Sequence, residues 1–207
     1  MEMTQSKPRK KPGRPLSFDR DQALESAMLV FWRFGYEATS LNDLTAAMGI
    51  TPPSLYSAFG DKEHLFLEAV ERYLQKKPCF LASISAEKLT AKESIRSYLE
   101  VIAVSQSDPN QPPGCMVVTS ATNCTAADSH VQEVLANYRE QMETGIRTRL
   151  DRGVEEGDLA ADTDTAALAS FYVTVIHGMS TQARDGAARE KLLAIGAQAM
   201  RAWPDLI

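Results

Sequence analysis

The stretch TSLNDLTAAMGITPPSLYSAFGDKEHL, residues 39–65, decides the fold. Ser40 with Asp43 three positions on forms a capping box, and it opens a short helix through Leu41, Leu44 and Ala47. Met48-Gly49-Ile50 is a tight connection whose glycine is free to take a positive φ. Thr51 followed by Pro52 supplies an N-cap and a proline at the first helical position, starting a second short helix that runs to about Ala58. Two short helices joined by a three-residue glycine turn match the helix-turn-helix, whose second helix enters a DNA major groove. Ala46 and Ala47 are small where the two helices must cross, and Ile50 and Leu55 suit the crevice between them. Spacing alone leaves a second reading open, because any corner between two helices needs glycine and small residues.

Helical periodicity extends outward in both directions. Ala23, Ala27, Phe31 and Phe34 recur at helical steps from Asp19, and Gly35 is placed to stop that helix. Phe31, Trp32, Phe34 and Tyr36 read as the core of a small three-helix domain rather than as base-stacking residues. After Phe59-Gly60-Asp61 a longer helix carries Leu65, Phe66, Ala69, Val70, Tyr73 and Leu74 on one face. Thr90 and Glu93 form another capping box, before Ile95, Tyr98, Leu99 and Ile102. A proline-rich loop, 108–114, is followed by a long helix through Val131, Leu135, Tyr138, Met142, Ile146 and Leu150 that ends near Gly157. Leu168, Phe171, Tyr172, Val175, Ile176 and Met179 line one more helix, and Leu192, Leu193, Ala197 and Met200 a last one. No window alternates with period two between turn signals. The predicted fold is all-α, with about nine helices.

Charge is sorted along the chain. The 207 residues hold 22 Lys and Arg against 27 Asp and Glu, a net charge of −5. On average this argues against coating nucleic acid or an anionic membrane by bulk charge. Residues 1–77 nevertheless carry eleven basic and ten acidic side chains, and residues 1–20 six against two. Residues 1–17 read as a flexible basic arm, with Arg9, Lys10, Lys11 and Arg14 serving either solubility or DNA contact. The segment has no apolar core of a secretory signal, and three cysteines, Cys79, Cys115 and Cys124, fit a reducing cytoplasm. Two uncharged stretches, 109–127 and 165–183, are interrupted by polar residues, glycine or proline, so they read as buried surface rather than membrane spans.

The strings FWRFG (31–35), TSLNDL (39–44), AMGI (47–50), SLYSAFG (54–60) and DKEHL (61–65) resemble the DNA-binding domain of the TetR family of one-component transcriptional repressors. The string SLYxxFGxKExL is the specific part, because it spans the second helix and the start of the next. The resemblance is close over residues 14–75, whereas residues 78–207 match by helical pattern and by PGCMV and IHGMSTQARDG. It implies a basic arm at 1–17, a DNA-binding domain at 18–64 and a ligand-binding and dimerisation domain at 65–207. The implied function is a cytoplasmic homodimeric repressor, released from a palindromic operator by a small-molecule or electrophile inducer. An activator of the same fold, or a helical interaction module that has lost DNA binding, are the alternatives. No nucleophile elbow, P-loop or paired carboxylates suggest an enzyme, no cofactor is implied, and the His and Cys spacing suggests no metal.

Individual roles follow from chemistry. Tyr56 and Lys62 suit phosphate oxygens, and Thr39 and Ser40 stand where a helix N-terminus offers backbone N–H groups to phosphate. Thr51, Pro52, Pro53 and Ser54 begin the second helix with hydroxyls and apolar faces but no bidentate arginine, so they suit base edges and thymine methyls. Gly13-Arg14-Pro15 resembles a minor-groove arm. For the ligand wall, a mostly apolar lining with a few hydrogen-bonding groups points to Cys79, Phe80, Cys115, Met116, Thr119, Asn123, Tyr138, Met142, Tyr172 and His177, each of which also reads as plain core or interface. Cys115 follows Pro113-Gly114 at an expected helix start, where it either packs as a small hydrophobe or reacts as a thiol. If 115 and 124 share one helix, nine residues at about 1.5 Å rise hold them roughly 13 Å apart, beyond disulfide reach. The uncharged 165–183 helix, with Gly178 permitting close approach, predicts a C2 dimer seam together with the last helix.

Overall fold

Asp19 starts the first helix by accepting hydrogen bonds from the Asp21 and Gln22 N–H groups. In the computed structural model, which describes residues 18–76 and 89–204, that helix (α1) spans Arg20–Phe34. Helices α2 (Leu41–Met48), α3 (Pro52–Phe59) and α4 (Lys62–Lys76) complete the N-terminal unit. Helices α5 (Ala91–Gln106), α6 (Met116–Thr119), α7 (Ser129–Glu155), α8 (Thr165–Arg184) and α9 (Arg189–Ala199) form the remainder. Short 3-10 turns at Ala126–Asp128 and Met200–Ala202 precede α7 and follow α9. No strand occurs among the described residues, so the all-α expectation holds. Both predicted capping boxes form: Ser40 with Asp43 opens α2, and Thr90 with Glu93 opens α5. Gly49 takes the left-handed conformation at the end of α2, as the turn between the two short helices requires.

Two apolar clusters divide the protein. The first joins α1, α2, α3 and α4 through Phe31, Leu44, Leu55, Leu65 and Phe66, all fully buried. It does not stop at the fourth helix. Met116, Val117 and Ala121 from α6 and its exit, and Val131 and Leu135 from the start of α7, belong to the same cluster. The second cluster packs α5, α7, α8 and α9 around Ile95, Leu99, Ile146, Leu150, Tyr172 and Ile176. A division of the chain at 64/65 falls inside α4, whose inner face (Leu65, Phe66, Ala69, Val70, Tyr73) packs with the first three helices.

Three expectations are corrected. Phe34 is 54% exposed, not core. It is the last helical residue, and Tyr36 folds back past Gly35 to take the place beside Phe31 (6.3 Å) and Phe66 (5.0 Å). Ala46 and Ala47 are exposed, and Leu44, Thr45 and Met48 instead form the inner face of α2. The segment after Cys115 is helical for only four residues, so 115 and 124 do not share a helix; both cysteines are free.

Among the ion pairs that tie the elements, two clusters engage several groups at once. Glu25 on α1 meets Arg72 (2.7 Å) and Lys76 (2.5 Å) on α4. Arg149, 3% exposed on α7, donates to the Leu89 carbonyl (2.6 Å) and the Ser94 hydroxyl (3.2 Å) and pairs with Glu156 (3.4 Å) and Asp158 (3.7 Å). Asp158 in turn accepts the Ala91 N–H, so one guanidinium organises the start of α5 and the end of α7.

Arg149→Ala strands these acceptors, and because both carboxylates keep access to water the cost is expected near the lower end for a broken buried pair, about 3 kcal/mol, read by urea unfolding. Partial burial acts to raise the Glu25 pKa, but hydrogen bonds and charges from Arg72 and Lys76 outweigh it and hold the carboxyl below its ordinary value of 4.5. Its stabilisation is therefore present above that value and is lost as pH falls through the lowered folded value. Glu25→Gln is expected to flatten the acid limb of melting temperature against pH, and an unchanged limb would assign acid sensitivity to other groups.

Candidate nucleic-acid interface

The second helix of the helix-turn-helix, α3, is held from behind and bare in front. Leu55 and Phe59 are buried, while Thr51, Pro52, Pro53 and Tyr56 are exposed. Arg20 secures the far end: it donates to the Ala58 carbonyl (3.2 Å), contacts both carboxylate oxygens of Glu68 (2.7 and 2.8 Å) and lies 4.4 Å over the Phe59 ring. Three elements, α1, α3 and α4, thus meet at one guanidinium, a planar fork suited to several acceptors.

The front of α3 carries an unusual terminus. Pro52 and Pro53 have no N–H, and the Leu55 N–H is spent on the Thr51 carbonyl. Thr51 makes no side-chain cap; its hydroxyl pairs with that of Ser54 at 3.0 Å. The helix start therefore presents ring methylenes and two hydroxyls rather than a set of free N–H groups, which suits base edges better than phosphate.

The residues expected at phosphate lie on α3 itself and at the start of α4. Tyr56 is 51% exposed on α3. Lys62 is the first residue of α4, with its ammonium 4.3 Å above the Tyr36 ring centroid. Asp61 accepts the His64 N–H and pairs with the His64 ring, both at 2.9 Å. That pair raises the His64 pKa and lowers the Asp61 pKa, and it lies exposed beside Lys62. Thr39 is placed differently from expectation. Its side chain is buried, its hydroxyl donates to the Gly35 carbonyl (2.6 Å), and its N–H to the Tyr36 carbonyl (3.3 Å). Ser40 is exposed, but its N–H is taken by Asp43. The N–H groups of α2 without a partner among the described residues are those of Leu41 and Asn42, one position further on. Arg14 lies outside the described residues.

The ligand-wall residues fall into separate places. Cys79 and Phe80 lie outside the described residues. Cys115 and Tyr138 pack against the first cluster, Met116 is fully buried within it, Met142 packs against the second, and Tyr172 is fully buried in the second. Asn123 is exposed between α6 and α7. Thr119 donates its hydroxyl to the Cys115 carbonyl, and its own carbonyl accepts from Arg184 (3.0 Å). Among the described residues, three buried side-chain atoms have no hydrogen-bond partner: the Tyr172 hydroxyl, His177 Nε2 and Gln106 Oε1. Burial raises the Tyr172 pKa to about 12 and, with the Arg139 charge, lowers that of His177, so both side chains are neutral at pH 7.

The 114–120 segment, which contains α6, is hydrogen-bonded on both sides. The Trp32 indole N–H donates to the Gly114 carbonyl (3.2 Å), and the Tyr36 N–H to the Ser120 carbonyl (2.7 Å). From the other side, the Ser180 hydroxyl of α8 accepts the Cys115 N–H (2.8 Å), and Arg139 of α7 donates to the Val117 carbonyl (2.8 Å). Gly114 has φ +80°, and a Cβ there would stand 2.8 Å from the Ser180 carbonyl oxygen, so both conformation and space require glycine. The Tyr73 hydroxyl on α4 is hydrogen-bonded to the Cys115 thiol and the Met116 N–H. Sequence reasoning missed Arg20, Tyr36 and Asp128, because their roles arise from partners far away in the chain.

Two short helices joined at Gly49, the second buried behind and exposed in front, define a helix-turn-helix protein. The comparisons name the group. Residues 23–69 match the family model "Bacterial regulatory proteins, tetR family", and residues 91–195 match "Tetracyclin repressor-like, C-terminal domain". The chain is 35% identical over 203 residues to the HTH-type transcriptional repressor ComR of Escherichia coli, covering 96% of this chain and 95% of that one. It is 30% identical over 197 residues to the repressor BdcR of the same organism, covering 95% of each. A cysteine-substituted form of the TetR family regulator CifR, complexed with 26-base-pair operator DNA, superposes with a TM-score of 0.88 and 44% identity, covering 93% of this chain and all of that one. The chain belongs to the TetR family of transcriptional regulators.

Replacing the Arg20 fork frees the end of α3. Arg20→Ala is expected to cost about 1–2 kcal/mol, since the guanidinium is partly solvated, and to speed amide exchange across Leu55–Phe59. Unchanged exchange there would show that Leu55 and Phe59 suffice to hold the helix.

Proposed function

We propose that this protein is a dimeric cytoplasmic repressor that reads an operator through α3 and is released by a ligand bound in its C-terminal half. The observation that carries DNA binding is the pairing of an exposed α3 start with Tyr56 and Lys62 on one side of a rigidly backed helix. DNA-bound CifR, alike over nearly the whole chain, supports it. Residues 51–54 read base edges, Tyr56 and Lys62 hold phosphates, and Arg14 supplies the arm. Each half-site contributes little direct specificity, so a dimer must add two of them, about 34–36 Å apart.

The dimer seam lies on the outer faces of α8 and α9. Phe171 is 40% exposed there, and a surface cleft is lined by Phe171, Val175, Ala194 and Ile195. Nothing within 4 Å would obstruct a Cβ at Gly178, so that stripe is open to a partner helix. No helix among the described residues is long and apolar enough to cross a membrane.

The inducer reading is supported by polar groups of α8 and of the end of α5. Tyr172, His177 and Gln106 offer neutral polar atoms still lacking partners, and their unmet hydrogen bonds favour a ligand with complementary donors and acceptors. The electrophile reading rests on one contact. Cys115 is a free, half-buried thiol touching Tyr73 of α4, so a C–S bond formed by addition across an activated double bond, with the thiol proton passing to the neighbouring carbon, would push on the helix that follows α3.

DNA selected from a random pool, followed by operator binding across a salt series, tests the reading. The expected slope of log affinity against log salt is steeply negative, about −0.9 per phosphate contact. Phe171→Asp is expected to yield monomers by light scattering at micromolar concentration and to abolish operator binding. A monomeric wild-type protein or salt-insensitive binding would overturn the reading. Cys115→Ser that retained full release by quinones would confine induction to non-covalent ligands.

A further inference from the structure

The ammonium of Lys62 does not stand free on the surface: it rests on an aromatic face that is itself gripped by the C-terminal unit. The Tyr36 ring, 3% exposed, is fixed by Phe31 and Phe66, and its outward face carries Lys62 Nζ at 4.3 Å from the centroid. Its hydroxyl donates to Asp128 Oδ1 (2.8 Å), just ahead of α7. The other Asp128 oxygen accepts the Thr125 hydroxyl (2.9 Å), and the Thr125 N–H donates to Glu37 Oε1 (2.7 Å). With the Tyr36 N–H on the Ser120 carbonyl, three hydrogen bonds tie residues 36–37 to the 120–128 corner, and the Thr125–Asp128 bond holds that corner itself. We propose that Tyr36 and Asp128 are positioning residues for the Lys62 ammonium, so that the protein's hold on operator phosphate is set by the corner that opens α7.

The proposal rests on Lys62 being a phosphate contact, as argued above. The physics is that of a flexible point charge. A free lysine must surrender its rotamer freedom on meeting phosphate, whereas one already resting on a ring surrenders less. A phenol donating to a carboxylate carries more electron density, which strengthens the attraction of its ring for a cation. The nearby Asp128 charge acts on Lys62 in the same direction. A shift of the 120–128 corner would remove the carboxylate from the hydroxyl and release the lysine without moving α3. Such a route from the C-terminal unit to DNA affinity is separate from any change in the spacing of two recognition helices.

A double-mutant cycle tests it, using operator duplex obtained by selection and fluorescence anisotropy across a salt series. Lys62→Gln is expected to reduce the salt slope by about one contact. Tyr36→Phe and Asp128→Asn, which keep ring and shape, are each expected to weaken binding about three- to tenfold and to lower the slope, yet to cost less than about twofold in the Lys62→Gln background. Wild-type affinity in both single variants, an undiminished loss in the Lys62→Gln background, or tighter binding by Asp128→Asn would each overturn the positioning role; the last would show that Asp128 competes with phosphate. If Lys62→Gln itself changes neither affinity nor slope, the phosphate reading of Lys62 falls and takes the proposal with it.

Discussion

The N-terminal unit does not close its own core, and the rest of the architecture depends on that shortfall. Helices α2 and α3 are eight residues each, too short to cover α1 and α4 on every side. The missing wall is supplied by Met116, Val117 and Ala121, with Val131 and Leu135 behind them. Burying side chains of this size contributes about 1.5–3 kcal/mol each, so the DNA-reading part owes much of its stability to residues from the other half. That debt is also the mechanical link. A segment that is part of one core and is hydrogen-bonded to Ser180 and Arg139 of the other cannot shift without both noticing.

The hydrogen bonds sharpen this link in a way that apolar contact alone would not. The Trp32 and Tyr36 donors fix the 114–120 segment in direction as well as distance, because N–H groups must aim at carbonyl oxygens. Packed cores tend to hold discrete arrangements, so on the proposed reading a ligand or adduct beside α6 would bias a choice between states rather than bend the protein gradually. Tyr73, Cys115 and Ser180 stand at that choice, on α4, at the start of α6 and on α8.

Local chemistry was legible in the sequence wherever partners lie close in the chain. Both capping boxes, the Gly49 turn and the inner face of α4 follow from spacings of three and four. The exposed start of α3 was also readable, because two prolines there dictate what a helix start lacks. Misreadings arose where distant residues intervene. Phe34 shares the helical face of Phe31 by period, but Tyr36, two residues on, displaces it after the chain reverses at Gly35. Thr39 is polar and precedes a helix, yet it faces inward because the Gly35 carbonyl needs a donor. The short α6 was hidden because an uncharged stretch does not reveal how far it stays helical, and the Tyr36–Asp128 contact spans ninety-two positions.

Several basic residues of the N-terminal unit are engaged internally. Arg20, Arg72 and Lys76 are each committed to carboxylates within the N-terminal unit, so their charges are largely cancelled at a distance. The sequence places Lys7, Arg9, Lys10, Lys11 and Arg14 ahead of the first helix. Long-range attraction governs how fast two charged bodies meet, whereas short, oriented contacts govern how long they stay. On the proposed reading, capture of DNA would fall to those basic residues, and the lifetime of an established complex to α3 and its flanks.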